Sequence, residues 1–557
     1  MSRPATRRRV IAALAGGTAA VVALVGCVQS DRDEPAAGGE GGDVDSTFVF
    51  AASADPASLD PAFASDGESF RVSRQIFEGL VGVEAGTADP APLLAESWEQ
   101  SDDGLSYTFQ LQDGVTFHDG TDFDATAVCA NFDRWYNFTG VAQAESMAYY
   151  YTSLFKGYAD SPEDAVYDSC AVDDDLVATV TLAQPFAGFI SALSLPAFAM
   201  QSPAALEEFG ADDVGGTEEA PTLSEYANGH PVGTGPFQFE AWERGAQLEL
   251  SAYGDYWGDQ GQVQEIIFRV IDDPTARRQA LEAGDIDGYD LVSPADASAL
   301  EEDGYLIESR DPFTILYLGM NQQVPELQDP RVRQAITMAI DRDQLVSQTL
   351  PEGTEVANQF IPPSVAGYND DITEYAYDPD AARALLADAG YPDGFTVQFN
   401  YPTNVSRPYM PNPEEIFTNL SAQLEEVGIT VDPQPNAWSP DYLDRIQGGA
   451  DHGLHLLGWT GDYNDTDNFL GVFFGSQSNE WGFDNQQLFD DLAAARAEPD
   501  LDAQIPLYEA INEEVATFAP GVPLAHPAPS LAFSERVESY PTSPVNDEVF
   551  NLIELSS

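Results

Sequence analysis

Three aspartates, Asp462, Asp465 and Asp467, follow closely on an apolar segment at 453–459. Carboxylates grouped in this way can hold calcium, cap a helix or pair with a cation on a ligand. The spacing is not that of an EF-hand loop, and the glutamate that closes such a loop is missing. Asp467 is placed to cap a helix beginning near residue 468. Asp462 stands where a counter-ion for a ligand's positive group would be, in a loop at the carboxyl end of a strand, where α/β proteins tend to bind ligands. Other chemistries find little footing. A nucleophile elbow, a P-loop and a dinucleotide fingerprint are all absent from the sequence. Gly233-Thr-Gly-Pro-Phe237 has the look of a phosphate loop, but the Gly-Lys-Ser/Thr that should follow is missing, and Pro236 removes a backbone donor. His452 and His455 have H-x-x-H spacing; on a strand they would point to opposite faces, and no glutamate sits where a zinc-protease helix needs one. No catalytic residue, metal site or cofactor is therefore expected.

The segments that must position these residues alternate between two periodicities. Segments 107–111 and 177–182 alternate apolar and polar residues with period two, as half-buried strands do. A helix is expected over 124–135, with Ala125, Val128, Cys129 and Phe132 on one face. Further along, three helices carry explicit start signals. Asp329-Pro330 precedes Val332, Ile336, Ala339 and Ile340. Asp378-Pro379 precedes Ala382, Leu385, Leu386 and Ala389, with Gly390 as the stop. Asn412-Pro413 precedes Ile416, Leu420 and Leu424, with Glu415 at the capping-box position and Gly428 as the stop. Strands are expected at 395–401 and 453–459 between them. The mixture is an α/β chain of at least two lobes.

At 557 residues and 43% hydrophobic content the chain can bury a large core and is too long for one ordinary domain. It carries 94 acidic residues against 22 basic ones, and only one of these, Lys156, is a lysine. Such a charge repels nucleic acid and anionic headgroups, which excludes both as partners. Arg3, Arg7, Arg8 and Arg9 precede an apolar run at 10–25, which Gly26 and Cys27 follow. This is a signal peptide over 1–26, and its end resembles the bacterial lipoprotein signal, in which the cysteine becomes the lipidated first residue. Residues 27–46 form a polar, flexible tether. Exported protein meets an oxidising compartment, so Cys129 and Cys170 are expected to pair.

Seven segments, in order, resemble the bacterial extracellular solute-binding proteins of the peptide/nickel class, receptors for ATP-driven (ABC) importers. They are Leu94-Ala-Glu-Ser-Trp98, Asp103-Gly-Leu-Ser-Tyr-Thr-Phe-Gln-Leu111, Gly114-Val-Thr-Phe-His-Asp-Gly120, Gly233-Thr-Gly-Pro-Phe237, Asp255-Tyr-Trp-Gly258, Asp329-Pro-Arg-Val-Arg-Gln-Ala335 and Tyr377-Asp-Pro-Asp-Ala381. Arg407-Pro-Tyr-Met-Pro-Asn-Pro413 and Gly458-Trp-Thr-Gly-Asp462 are similar to the dipeptide-binding branch. The resemblance implies that Arg407 pairs with a ligand carboxylate and Asp462 with its α-ammonium, with Trp459 and Gly461 in the same binding segment. It departs from that branch at Asn464-Asp465-Thr466, where Gly-Asp-Pro is common, and the family's disulfides do not match Cys129 and Cys170.

The fold so implied is periplasmic-binding-protein-like, type II: two hinged lobes with an extra subdomain in the larger. Lobe 1 would take 47–313, with the subdomain inserted at about 81–225, and 523–557; lobe 2 would take 314–522. The function implied is capture of short peptides, dipeptides foremost, and their delivery to a membrane permease by a monomer lipid-anchored to the outer face of the cell membrane. Receptors for oligopeptides, glutathione, a nickel chelate, haem or oligosaccharide, a peptide-sensing lipoprotein and an exported hydrolase are the rival readings. A zwitterion enclosed at both ends needs a charged partner at each, and that is what an arginine and an aspartate supply.

Overall fold

The computed structural model describes residues 46–557, except 219, 450, 451 and 557. The expected signal peptide, Cys27 and all but the last residue of the expected tether lie outside the described residues. No described helix is long and apolar enough to cross a membrane.

Two mixed sheets organise the chain. The first has seven strands, in the order Phe237–Glu243, Gln247–Ala252, Glu265–Val270, Thr47–Ala52, Gly288–Asp290, Ser530–Phe533, Leu306–Ser309. The second has six, in the order Glu355–Val356, Gly521–His526, Thr314–Met320, Leu454–Thr460, Phe395–Thr403, Ile429–Ala437. Every residue of Thr314–Met320 is buried, as a strand near the middle of a covered sheet requires. Between strands of the first sheet the chain builds a separate four-stranded antiparallel sheet, Ala95–Gln100, Ser106–Leu111, Val177–Leu182 and Tyr167–Asp174. Helix Ala125–Tyr136 packs on it, with Val128 and Phe132 fully inside.

The chain passes between the two sheets twice, at 310–313 and at 527–529. The second passage falls later than the expected 523, because Gly521–His526 still pairs with Thr314–Met320. The passages are stitched together: Arg310 N–H donates to Pro529 O at 3.0 Å, and Thr314 Oγ1 donates to Pro527 O at 3.0 Å. Arg310 also sends Nε and Nη2 to the two oxygens of Glu548 at 2.6 and 2.7 Å. Asp290, paired with Arg71 and 3.4 Å from Arg310, completes a buried network. Burial alone would raise the Asp290 pKa, but the two guanidiniums hold it near 2.

The start signals act as their chemistry dictates. Asp124, Asp329 and Asp378 each accept a backbone N–H of the first turn of their helices. Asn412 precedes helix Pro413–Glu426 without a side-chain cap bond. Gly390 and Gly428 end the helices at φ of 101° and 95°, a region glycine enters without steric cost.

Cys129, on the helix of the small sheet, is bonded to Cys170 on its edge strand, 41 residues away. Closing a loop of that length removes unfolded-state entropy, and loss of such a bridge costs roughly 2–4 kcal/mol. The pair Cys129→Ser and Cys170→Ser should therefore lower the urea midpoint, and an unchanged midpoint would show the bridge to be energetically idle.

Candidate ligand-binding site

Strand Leu454–Thr460 delivers the site. It pairs along its whole length with Thr314–Met320, which fixes its height in the sheet. Gly461 continues it: its N–H donates to Phe313 O at 2.8 Å, and a Cβ there would run into the Phe313 and Phe469 rings. The chain beyond is thus pressed against lobe 2 and turns toward lobe 1. Asp462 follows, held by its own N–H donating to Asn468 Oδ1 at 2.8 Å.

Arg407 reaches the same region from a tight turn in which Arg407 and Met410 exchange two backbone hydrogen bonds, of 3.1 and 2.9 Å. Tyr409 in that turn packs against Gly458, where a Cβ would clash with its ring and with the Ile315 carbonyl. The glycine therefore lets the turn dock beside the strand. The Arg407 guanidinium stacks 4.5 Å over the Trp438 ring.

Three groups at the site have buried polar atoms with no hydrogen-bond partner among the described residues: Arg407 Nε, Trp459 Nε1 and Asp462 Oδ2. Buried polar groups are normally satisfied, so each of these atoms is a candidate to receive a polar group of a ligand. Arg407 has no carboxylate within ion-pair distance among the described residues, in a chain with 94 acids. Among the described residues Asp462 has no ion-pair partner. Burial pushes its pKa up to about 6, against the opposing pull of Tyr150, Asn468 and Arg74. Arg74 is already committed, its Nε donating to Asp547 at 3.1 Å and its Nη2 to Val545 O at 3.1 Å.

Tyr150 and Arg74 belong to lobe 1, so the Asp462 environment is completed across the cleft. Sequence reasoning passed over both, together with Trp438; the run Tyr149-Tyr150-Tyr151 was the available signal. The other aspartates differ from expectation. Asp465, not Asp467, caps the short turn Thr466–Asn468. Asp467 instead forms an ion pair with Arg496. His452 and His455 do not face opposite ways. His452 precedes the strand, whose first residue is Leu454, and its ring meets His455 with centroids 5.1 Å apart. Both contact Glu480, at 3.1 Å to its carbonyl and 3.2 Å to its carboxylate. No cluster that could hold a metal ion occurs among the described residues. Gly233 and Gly235 pack where a Cβ would strike the end of helix Gly67–Ile76. That loop is a structural contact.

A small pocket lies elsewhere in lobe 2, between helix Leu501–Phe518 and the loop carrying Phe360 and Tyr375. Arg407 and Asp462 do not line it.

Residues 89–481 match the family model described as bacterial extracellular solute-binding proteins, family 5, middle region. The dipeptide-binding protein of Escherichia coli (strain K12) is 30% identical over 524 residues, covering 91% of this chain and 94% of that one. The heme-binding protein A of Haemophilus influenzae is 30% identical over 521 residues, covering 90% and 91%. A periplasmic binding protein from Helicobacter pylori, solved with the peptide STSA, superposes with a TM-score of 0.75 at 28% identity, covering 92% of this chain and 98% of that one. The two-lobed α/β architecture is thus that of a periplasmic-binding-protein-like receptor of type II. The chain belongs to the bacterial extracellular solute-binding proteins of family 5, the receptors of ABC importers, and is a transport receptor rather than an enzyme.

Proposed function

We propose that the protein captures short peptides, dipeptides foremost, and hands them to an ABC permease while anchored as a monomer to the outer face of the membrane by lipid on Cys27. The observation that carries the ligand class is a pair of opposite charges, Arg407 and Asp462, neither ion-paired among the described residues and each with a buried polar atom left without a partner. Arg407 offers its planar fork to the peptide carboxylate, and Asp462 takes the α-ammonium. Trp459 Nε1 is free to donate to the peptide backbone, and Gly461 holds the Asp462 loop at its height. The names of two relatives supply further support, a dipeptide-binding protein and a structure bound to a peptide.

The relative named for heme is equally similar in sequence. A haem would offer carboxylates to Arg407 but no ammonium to Asp462, so the second charge favours a zwitterion. Lobe 1 would run from 47 to 313 with its inserted subdomain at about 81–225, and the chain beyond the second passage would complete it.

Intact-protein mass spectrometry on material extracted from the native membrane tests the proposal. The expected spectrum has the mass of a chain beginning at Cys27 plus acyl groups, and releases dipeptides on denaturation. An unlipidated chain would remove the anchor. A released sugar, chelate or haem would remove the peptide.

A further inference from the structure

A patch of contacts joins the two lobes directly and uses neither Arg407 nor Asp462. At its centre is Arg496, the last residue of the lobe 2 helix Gln486–Arg496, which is ion-paired to Asp467 of the same lobe. Its Nη2 donates to Leu154 O of lobe 1 at 3.2 Å, and its own carbonyl accepts the Ala187 N–H at 3.3 Å. The guanidinium also lies 4.6 Å from the Phe186 ring centre. Alongside, Asn464 Nδ2 donates to Asp89 Oδ1 at 2.7 Å. Tyr463, a lobe 2 residue, is 1% exposed and sits in a hydrophobic cluster whose other buried members all come from residues 62–200 of lobe 1. Gly188 faces the Asp465 carboxylate so closely that a Cβ on it would lie 2.5 Å from Asp465 Oδ2.

We infer that these contacts form a latch that stabilises the closed arrangement independently of the ligand. The inference rests on the reading of a two-lobed receptor that closes on its solute. Opening would expose the Tyr463 and Phe186 rings and break three cross-lobe hydrogen bonds. Each interaction is present only when the lobes are together, whatever the site holds, so the patch biases the open–closed equilibrium. Apparent affinity then depends on residues remote from the ligand, because it scales with the fraction of chains already in the competent arrangement. Gly188 is the position where closeness itself is required. Its φ of −71° is ordinary for any residue, so a methyl group costs little within lobe 1 beyond a small shift of Phe186, and acts against closure.

The test is hydrogen exchange at the Ala187 amide, which donates across the interface, in protein dialysed free of peptide. Wild type should be protected there, and Gly188→Ala should exchange about tenfold faster. Affinity for a dipeptide, measured by calorimetry, should fall by a similar factor, about tenfold, with Asp462 intact. Arg496→Gln, which removes charge instead of adding bulk, should act in the same direction; melting curves check that both variants fold. Equal exchange in wild type and both variants would overturn the latch. Faster exchange in the variants, with no peptide bound by any form, would leave the latch standing and discard the peptide reading.

Discussion

Asp462→Asn should weaken binding of free-amine dipeptides more than a hundredfold while leaving N-acetylated dipeptides nearly unchanged. The asparagine keeps the shape and the hydrogen bond from its own backbone N–H to Asn468, but leaves an enclosed ammonium without a counter-charge. Removing one partner of a buried ion pair costs on the order of 3–5 kcal/mol, which is roughly two to three and a half powers of ten in affinity. Arg407→Ala should do the same at the carboxyl end, sparing C-amidated ligands. A two-ended clamp also fixes length. An extended chain advances roughly 3.3–3.6 Å per residue, so one residue too many strands one terminal charge. Calorimetry with di-, tri- and pentapeptides should show a preference for one short length; equal affinities, or indifference to blocked ends in the unmutated protein, would exclude the clamp. Acid should act through the same carboxylate. Burial raises the Asp462 pKa to about 6, and only its ionised form pairs with ammonium. Affinity should therefore be fully present above that value and fall about tenfold between pH 7 and pH 5. The loss should vanish in Asp462→Asn.

Arg310→Met should cost roughly 3–5 kcal/mol of stability, read as a large drop in the urea midpoint. Arg310 and Glu548 are each 2% exposed, and their bidentate pair lies beside the first passage between the lobes. Without the guanidinium, Glu548 keeps the Tyr540 hydroxyl at 2.7 Å, the Ser543 N–H at 3.4 Å and Arg71 at 4.0 Å, and its negative charge stays buried. The double variant Arg310→Met with Glu548→Leu removes both charges and should recover much of the loss, since apolar side chains of similar volume tolerate burial. A single variant as stable as wild type, or a double variant worse than the single, would show that the pair does not act as a unit.

Much of the architecture could be read from residues that act locally. Asp-Pro starts and glycine stops bound helices because a side-chain oxygen and an αL residue satisfy the helix ends within a few positions. Period-two segments became strands for the same reason. What escaped depended on distant chain. The second passage could not be placed from 523 alone, because Gly521–His526 joins lobe 2 only through its pairing with Thr314–Met320, two hundred residues earlier. Asp467 looked like a cap until Arg496, 29 residues on, was found to claim it. Arg407 and Asp462 were named through a resemblance, and each carries a buried polar atom without a partner among the described residues. Tyr150 and Arg74 were not, since they approach Asp462 from the other lobe.

The first sheet places Ser530–Phe533 between Gly288–Asp290 and Leu306–Ser309, and Phe550 packs on Phe48 and Phe50 at 5.2 and 5.7 Å. A chain threaded across a membrane from its amino end therefore emerges with lobe 1 still missing an inner strand. Lobe 2 is continuous and can fold while it waits, but the lobe begun first is the one finished last. For that interval Phe48 and Phe50 lack their closing partner, and contacts spanning nearly the whole sequence are slow to form and exposed to aggregation. Translational arrest or proteolytic clipping in the final 30 or so residues would thus strike the amino-terminal lobe first.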